Sequence, residues 1–303
     1  MYKFHSKVNS SLRVPVNTHY LQLHLAVLLF SLCALFAYWV NASPVFIVFG
    51  RTFFAALAIA LYVVFTSNTG LALPAYHKRQ LILSSLLLVC HWLTFFFSAQ
   101  HASVSIALIT FASYPLWVLL IGYFQGDALK PLAMLGQTIL IIIGVALVSG
   151  VHAEMGVQGE VEGLVAGLIS AFIFAWLTYL NQSLMQTCCS LNLTFWQNLL
   201  ASLLLLPLVF LVPFSGDIAD IGKLLLLGVL FTAFAHNLLL NSMRSIPAFL
   251  VSITVCLEPA YGIVAAAVLF AEPLTVTVIV GIALVLISNI WAVMAQRRSL
   301  RKG

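Results

Sequence analysis

Charged side chains are scarce in this sequence. Asp, Glu, Lys and Arg make up 7% of its 303 residues, against about 25% in soluble domains, which excludes a chain of soluble globular domains. Metal-site and disulfide patterns are absent as well. The five cysteines, Cys33, Cys90, Cys188, Cys189 and Cys256, have no zinc-ligand spacing and form no readable disulfide framework. They read as small buried hydrophobes plus one vicinal loop pair. There is no His-Glu-x-x-His, and no glycine loop ending in Lys-Ser/Thr to cradle a nucleotide's phosphates, so no metal and no cofactor is implied. No low-complexity tract or Gly/Ser linker divides the chain. The net charge of +5 comes from basic residues scattered over short loops and both ends. Without an aromatic-interleaved basic patch, nucleic acid is not an expected partner.

The sequence is instead 63% hydrophobic. Apolar runs fall at about 22–40, 45–65, 81–98, 103–124, 132–150, 163–181, 192–213, 222–241, 248–271 and 275–294. Each approaches the roughly 20 residues that a helix needs to cross the hydrocarbon core. Helix is the expected form because backbone groups in lipid must be satisfied within their own segment. Breakers such as Asn41-Ala42-Ser43-Pro44, Gln125-Gly126-Asp127 and Glu272-Pro273 separate the runs. The expectation is an all-α membrane protein of ten transmembrane helices. The first run follows a basic N-terminal region, as a secretory signal would, but it is long for a signal and completes an internal repeat, so it is read as a span.

Lys and Arg sort by loop parity. With the N-terminus in the cytoplasm, the inside collects Lys3, Lys7, Arg13, Lys78, Arg79, Lys130, Arg244, Arg297, Arg298, Arg301 and Lys302, and the outside only Arg51 and Lys223. Eleven against two is a strong positive-inside bias, which places both ends in the cytoplasm. The acidic residues Glu154, Glu160 and Glu162 fall outside.

The two halves align. Ser98 corresponds to Ser242 and Pro115 to Pro259 at an offset of 144, Asp127-Ala128-Leu129 to Glu272-Pro273-Leu274, Gly136 to Gly281, Phe36-Ala37-Tyr38 to Phe174-Ala175-Trp176, and Ala55 to Ala201. The expected organisation is two five-helix repeats, 1–150 with a tail at 1–21 and 151–303 with a basic tail at 296–303. Five is odd, so the second repeat enters the membrane inverted. Inverted repeats hold a substrate near the midplane between the halves and support alternating access, which points to a secondary carrier of a small molecule.

The residues of this repeat also resemble a known family. A helix with a central proline, about twelve apolar residues, an acidic residue and a glycine-bearing last helix run from Pro115 to Asp127 and from Glu258-Pro259 to Glu272. This arrangement is similar to the EamA type of drug/metabolite transporter over about residues 22–296, except that Asp127 stands where glutamate is usual. The resemblance implies ten helices, cytoplasmic termini, a central cavity lined by both halves, a bacterial inner membrane, and export of amino acids or other small metabolites. Other members carry sugar-, nucleotide- or sulfonium-linked compounds. A monomer or homodimer in the lipid bilayer, with a small-molecule substrate, is expected.

Polar groups at membrane depth mark function, because an ionised side chain there costs about 2.5–3.5 kcal/mol on insertion scales. Glu258 shares a helical face with Thr254, Tyr261, Gly262 and Ala265. It reads either as a counter-charge or proton-carrying group, or as a protonated acid that bonds a neighbouring helix beside the Pro259 kink. His236 is followed by Asn237 and, one turn on, by Asn241; it reads as a proton relay with Glu258 or as a structural hydrogen-bonding histidine. His91 shares a face with Thr94, Phe95 and Ser98, which reads as cavity lining or as packing, and aligns one place off His236. Tyr38 matches Trp176 and Tyr114 matches Glu258 across the repeat, and these aromatics read as cavity walls or as packing. The substrate-binding expectation is therefore Tyr38, His91, Tyr114, Trp176, His236, Asn237 and Glu258, with proton coupling through His236 and Glu258. Arg51 opens the second span at the outer face, where it reads as a guard of the outer entrance or, as the leading expectation, as an interface anchor that snorkels. Two rival classes are weaker. An intramembrane enzyme would rest on Ser170 with His236 as its base, but a serine beside Gly167 reads as close helix packing. A scaffold lacks large loops or tails to work with.

Overall fold

The computed structural model describes residues 16–66, 71, 77–102, 104–126, 131–148, 160–262, 264 and 275–300, and every regular element among them is helical. Helix α1 (Val16–Phe30) passes through a tight turn at Cys33–Leu35 into α2 (Phe36–Trp39). There follow α3 (Pro44–Thr66), α4 (Lys78–His101), α5 (Val104–Phe111), α6 (Tyr114–Gln125) and α7 (Pro131–Val148). The second half holds α8 (Glu160–Leu184), α9 (Ser190–Val209) and α10 (Ile218–Gly228), which continues through a π-helical turn (Val229–Phe234) into α11 (Ala235–Ser242). Helices α12 (Ala248–Val255) and α13 (Val276–Leu300) complete the series. Proline opens α3 and α7, where its missing N–H leaves no helical bond unmade.

Seven helical stretches among the described residues are long and apolar enough to cross a membrane: Asn17–Trp39, Pro44–Thr66, Lys78–His101, Val161–Leu184, Ser190–Val209, Ile218–Ser242 and Val276–Ala295. The three remaining runs give shorter pieces for local reasons. Run 103–124 is cut into α5 and α6 by a turn at Ala112 and Ser113, just ahead of Pro115. The run from 248 is turned at Cys256 and Leu257, just ahead of Pro259, and its apolar helix spans Ala248–Gly262. The fifth run forms the apolar stretch Leu132–Leu147. Proline lacks the N–H for the bond one turn back, and its ring crowds that carbonyl, so equivalent prolines break equivalent helices. The loop residues Glu154, Asp127 and Glu272-Pro273, together with Ala265, residues 1–15 and residues 301–303, lie outside the described residues.

The packing follows the repeat. Helix α4 packs chiefly on α8, α1 on α11, α3 on α9 and α7 on α13. If α1, α3, α4 and α7 correspond to α8, α9, α10–α11 and α13, the first two pairs exchange and the last two map onto themselves. A twofold relation between halves produces this pattern. The loop contacts gather at two ends. At one, the Arg244 guanidinium donates to the Cys188 carbonyl at 2.6 Å, and His77 meets Thr187 at 3.1 Å. At the other, Asn41 and Ser215 exchange two hydrogen bonds at 3.1 and 2.9 Å, and Lys223 donates to the Trp39 carbonyl at 2.6 Å.

Helices α3 and α10 approach through small residues. A Cβ on Gly228 would lie 2.5 Å from Phe54 Cβ and 3.0 Å from the Arg51 carbonyl oxygen, and one on Gly50 would lie 2.9 Å from Leu224. Because the obstruction at Gly228 includes backbone, it cannot swing aside. Gly228→Ala is expected to lower stability by about 1–3 kcal/mol, the usual scale of overpacking. The checking measurement is the thermal unfolding midpoint of the detergent-solubilised protein, which should fall.

Candidate functional site

The two broken helices carry matched residues at their breaks. Tyr114 begins α6 immediately before Pro115, and Glu258 follows the second break immediately before Pro259. Discontinuous helices near the centre of a bundle free backbone and side chains to face a cavity. Between the halves lies a cavity of about 50 Å³. Its polar side chains are Arg51 from α3, His91 from α4, His236 from α11 and Glu258, with the Cys33 thiol beside them. Phe30, Trp92, Phe95, Phe96, Phe111, Phe174 and Leu239 supply the apolar wall.

Arg51 is the residue that sequence reasoning placed wrongly. Helix α3 starts at Pro44, so Arg51 stands two turns inside it, roughly 10 Å from its first residue at 1.5 Å per residue. It is 2% exposed and does not snorkel. Its guanidinium lies over the Trp92 ring, 3.8 Å from the centroid, and 5.7 Å from that of Phe96. Its Nε donates to Thr232 Oγ1 at 3.1 Å. That hydroxyl in turn donates to the Leu227 carbonyl, five residues back, at 2.8 Å. The π-helical turn thus presents Thr232 to Arg51, and such turns recur at functional sites. The available sequence signal was the distance from Pro44, a helix-opening proline, rather than the position of the charge within the run.

His91 joins α4 to α8. Its Nδ1 lies 2.8 Å from Ser170 Oγ and 3.2 Å from the Ser170 carbonyl, and its ring stacks on Phe174 at 4.4 Å. Ser170 therefore meets His91, and not His236 as the enzyme hypothesis required. Across the cavity, His236 Nε2 donates to Gln197 Oε1 at 3.2 Å, and Gln197 Nε2 donates to Asn181 Oδ1 at 2.6 Å. The His236 ring also meets the Trp92 indole edge-on at 5.9 Å. The 146-residue offset that pairs Ala55 with Ala201 pairs Arg51 with Gln197, so equivalent positions hold the cation and the amide that orients His236. Glu258 is half-buried on the cavity wall, and no hydrogen bond holds its carboxyl among the described residues. The charge of Arg51 acts on it.

Of the residues expected from sequence, His91, His236 and Glu258 meet in this cavity. Tyr114 stands one layer behind, fully buried, bonded to Thr178 at 2.5 Å and stacked on Phe111. Tyr38 and Trp176 do not line it. They are 60% and 45% exposed, and the Tyr38 hydroxyl donates to the Ala99 carbonyl at 3.1 Å. Asn237 is half-buried away from the cavity, with its Oδ1 unpaired among the described residues. An apolar span shows which turns are polar, but not which of two opposite faces looks inward, and that decides these placements.

The profile of the EamA-like transporter family matches this chain twice, over residues 18–150 and 161–294. The chain belongs to the EamA-like transporter family. It is thus a membrane transporter of two repeats, integral to the bilayer through its apolar helices. A relative from Bacillus subtilis (strain 168), the "Uncharacterized transporter YxxF", is 27% identical over 181 residues, which is 58% of this chain and 57% of the relative. The match therefore spans little more than half of that protein's length. A solved structure with the general title "Crystal structure of protein" superimposes with a TM-score of 0.76 at 18% identity, over 93% of this chain and 98% of the other. That likeness is one of fold.

Within the family fold, the Thr232 contact can be tested alone. Thr232→Val keeps the shape of the side chain and removes the acceptor of Arg51 Nε. Hydrogen bonds to charged groups contribute about 1.5–3 kcal/mol. The variant is expected to unfold at a lower temperature than wild type, and an unchanged midpoint would show that the contact contributes nothing.

Proposed function

We propose that this transporter is a secondary carrier that exports a small amphipathic metabolite, amino-acid-like in size, by alternating access. The observation that carries the reading is the grouping of Arg51 and His91 from one repeat with His236 and Glu258 from the other around one aromatic-walled cavity. Polar groups buried at membrane depth are retained where a solute or an ion must pass. A cavity shared by two repeats opens to alternate faces when one repeat rocks against the other. In this reading the repeats divide at about residue 150, each with five spans, the second inverted relative to the first. Both termini lie on the cytoplasmic side of a bacterial inner membrane, and the protein acts as a monomer or homodimer. The chain carries out no covalent chemistry.

Volume supports a contracted state. A single water needs about 10–15 Å³ on the same scale, whereas ligand pockets run to about 300 Å³ and more. A cavity of about 50 Å³ holds a few waters, so loading a metabolite requires the halves to separate. The reciprocal Asn41–Ser215 bonds and the Lys223–Trp39 bond join the halves at one end, and opening there would break them.

Glu258 and His236 are the pair through which a proton gradient would drive the cycle. Glu258 has no hydrogen-bonding partner on a neighbouring helix among the described residues, which favours the functional over the structural reading of this acid. In proteoliposomes loaded with metabolite mixtures, wild-type protein is expected to mediate solute flux. Glu258→Gln is expected to lose that flux or to make it insensitive to pH over roughly pH 5–8. Normal pH-dependent flux in the variant would falsify the coupling role.

A further inference from the structure

Arg51 has no part in the proposed proton pathway through His236 and Glu258. Arg51 carries a permanent charge, sits 2% exposed, and lines the cavity. Its hydrogen bonding among the described residues accounts for one donor, Nε to Thr232. The Cys33 thiol lines the same cavity, but sulfur is a weak acceptor. The ion pair present among the described residues is Lys223–Asp220, at the end of the bundle; Arg51 has no carboxylate in bonding contact. A buried cation whose terminal N–H groups lack an anion is unfavourable unless an anion arrives. In a membrane such a residue marks a ligand path.

We infer that Arg51 is the anion anchor of this transporter, and that its substrate is an organic acid bearing one carboxylate on an apolar or aromatic body. The inference rests on the carrier reading only for the fate of the ligand, since binding is a separate observable. Three features narrow the ligand. First, the guanidinium rests over the Trp92 ring, 3.8 Å from its centroid, and Thr232 holds its Nε, which leaves the terminal N–H groups for a ligand. A planar fork of paired donors matches a carboxylate through two parallel bonds, which is the geometry Arg offers and Lys does not. Second, the site tolerates one negative charge. Among the described residues Arg51 is the one Arg or Lys that lines the cavity, and the Glu258 carboxyl shares its wall. A phosphate dianion, or a nucleotide- or sugar-linked diphosphate, would meet a single cation and a competing carboxyl. Third, the remaining wall near His91 is aromatic, with Phe95, Phe111 and Phe174, and suits a flat apolar body.

Calorimetric titration of the full-length protein in detergent tests this directly. The probes are 3-phenylpropanoate, its amide, and 3-phenylpropylamine. Wild type is expected to bind the acid at least about thirtyfold more tightly than the amide or the amine, the scale of losing one partner of a buried charge pair. Arg51→Gln is expected to lose that preference. Arg51→Lys keeps the charge without the fork and should fall between. Should Arg51→Gln not fold, the acid-to-amide ratio in wild type and in Arg51→Lys decides the matter. An amide that binds as tightly as the acid, an acid that does not bind, or a folded Arg51→Gln with unchanged preference overturns the inference. Proteoliposome flux separates the two readings. Arg51-dependent acid binding without flux of the acid counts against transport and leaves the anchor standing. Flux of the amine without acid binding does the reverse.

Discussion

A fixed positive charge inside an apolar bundle is the constraint around which this structure is arranged. Arg51 cannot lose its proton at any physiological pH, so the fold must supply a face, a hydrogen bond and a counter-field for it. The face is the Trp92 indole from α4, the hydrogen bond is Thr232 from the π-helical turn, and the field includes Glu258 at the break after α12. These partners come from both repeats. Gly50 and Gly228 let α3 and α10 approach closely enough for the contacts to form. Removing any of these elements would leave the cation either uncovered or too far from its partners.

The repeat explains how one shared cavity arises from two similar sequences. Pro115 and Pro259 break equivalent helices and put Tyr114 and Glu258 in equivalent places. The repeats have then diverged chemically. One break carries a phenol packed behind the wall and bonded to Thr178, while the other carries a carboxyl on the cavity. Arg51 and Gln197 show the same divergence, with a cation on one side and, on the other, an amide linking His236 to Asn181. A shared backbone plan therefore supports an asymmetric cavity, which a substrate with unlike ends requires.

Much of the architecture was legible in the residue pattern. Scarce charge and long apolar runs required membrane helices, and the spaced matches between halves announced two repeats. Pro115 and Pro259 were read as central prolines of continuous spans, with a kink at Pro259, whereas both helices turn just ahead of them. Three of the seven proposed site residues, His91, His236 and Glu258, gather at the cavity. The other four stand elsewhere, Tyr114 one layer behind the wall. Tyr38, Trp176 and Asn237 lie on helices that reach the centre, but their side chains leave from other faces. Arg51 was taken for an interfacial anchor because charge near the start of an apolar run commonly snorkels, whereas α3 had begun two turns earlier at Pro44.

By itself, then, the sequence determined the solvent, the secondary structure and the internal duplication. Each follows from composition or from spacing along one chain, and needs no neighbour to be specified. Only the tertiary structure decided which faces turn inward and which polar groups meet, because rotation about a helix axis is set by packing against other helices. The cation over Trp92, the π-helical turn that presents Thr232, and the pairing of Ser170 with His91 are contacts between residues far apart in the chain. No periodicity within a single span encodes them.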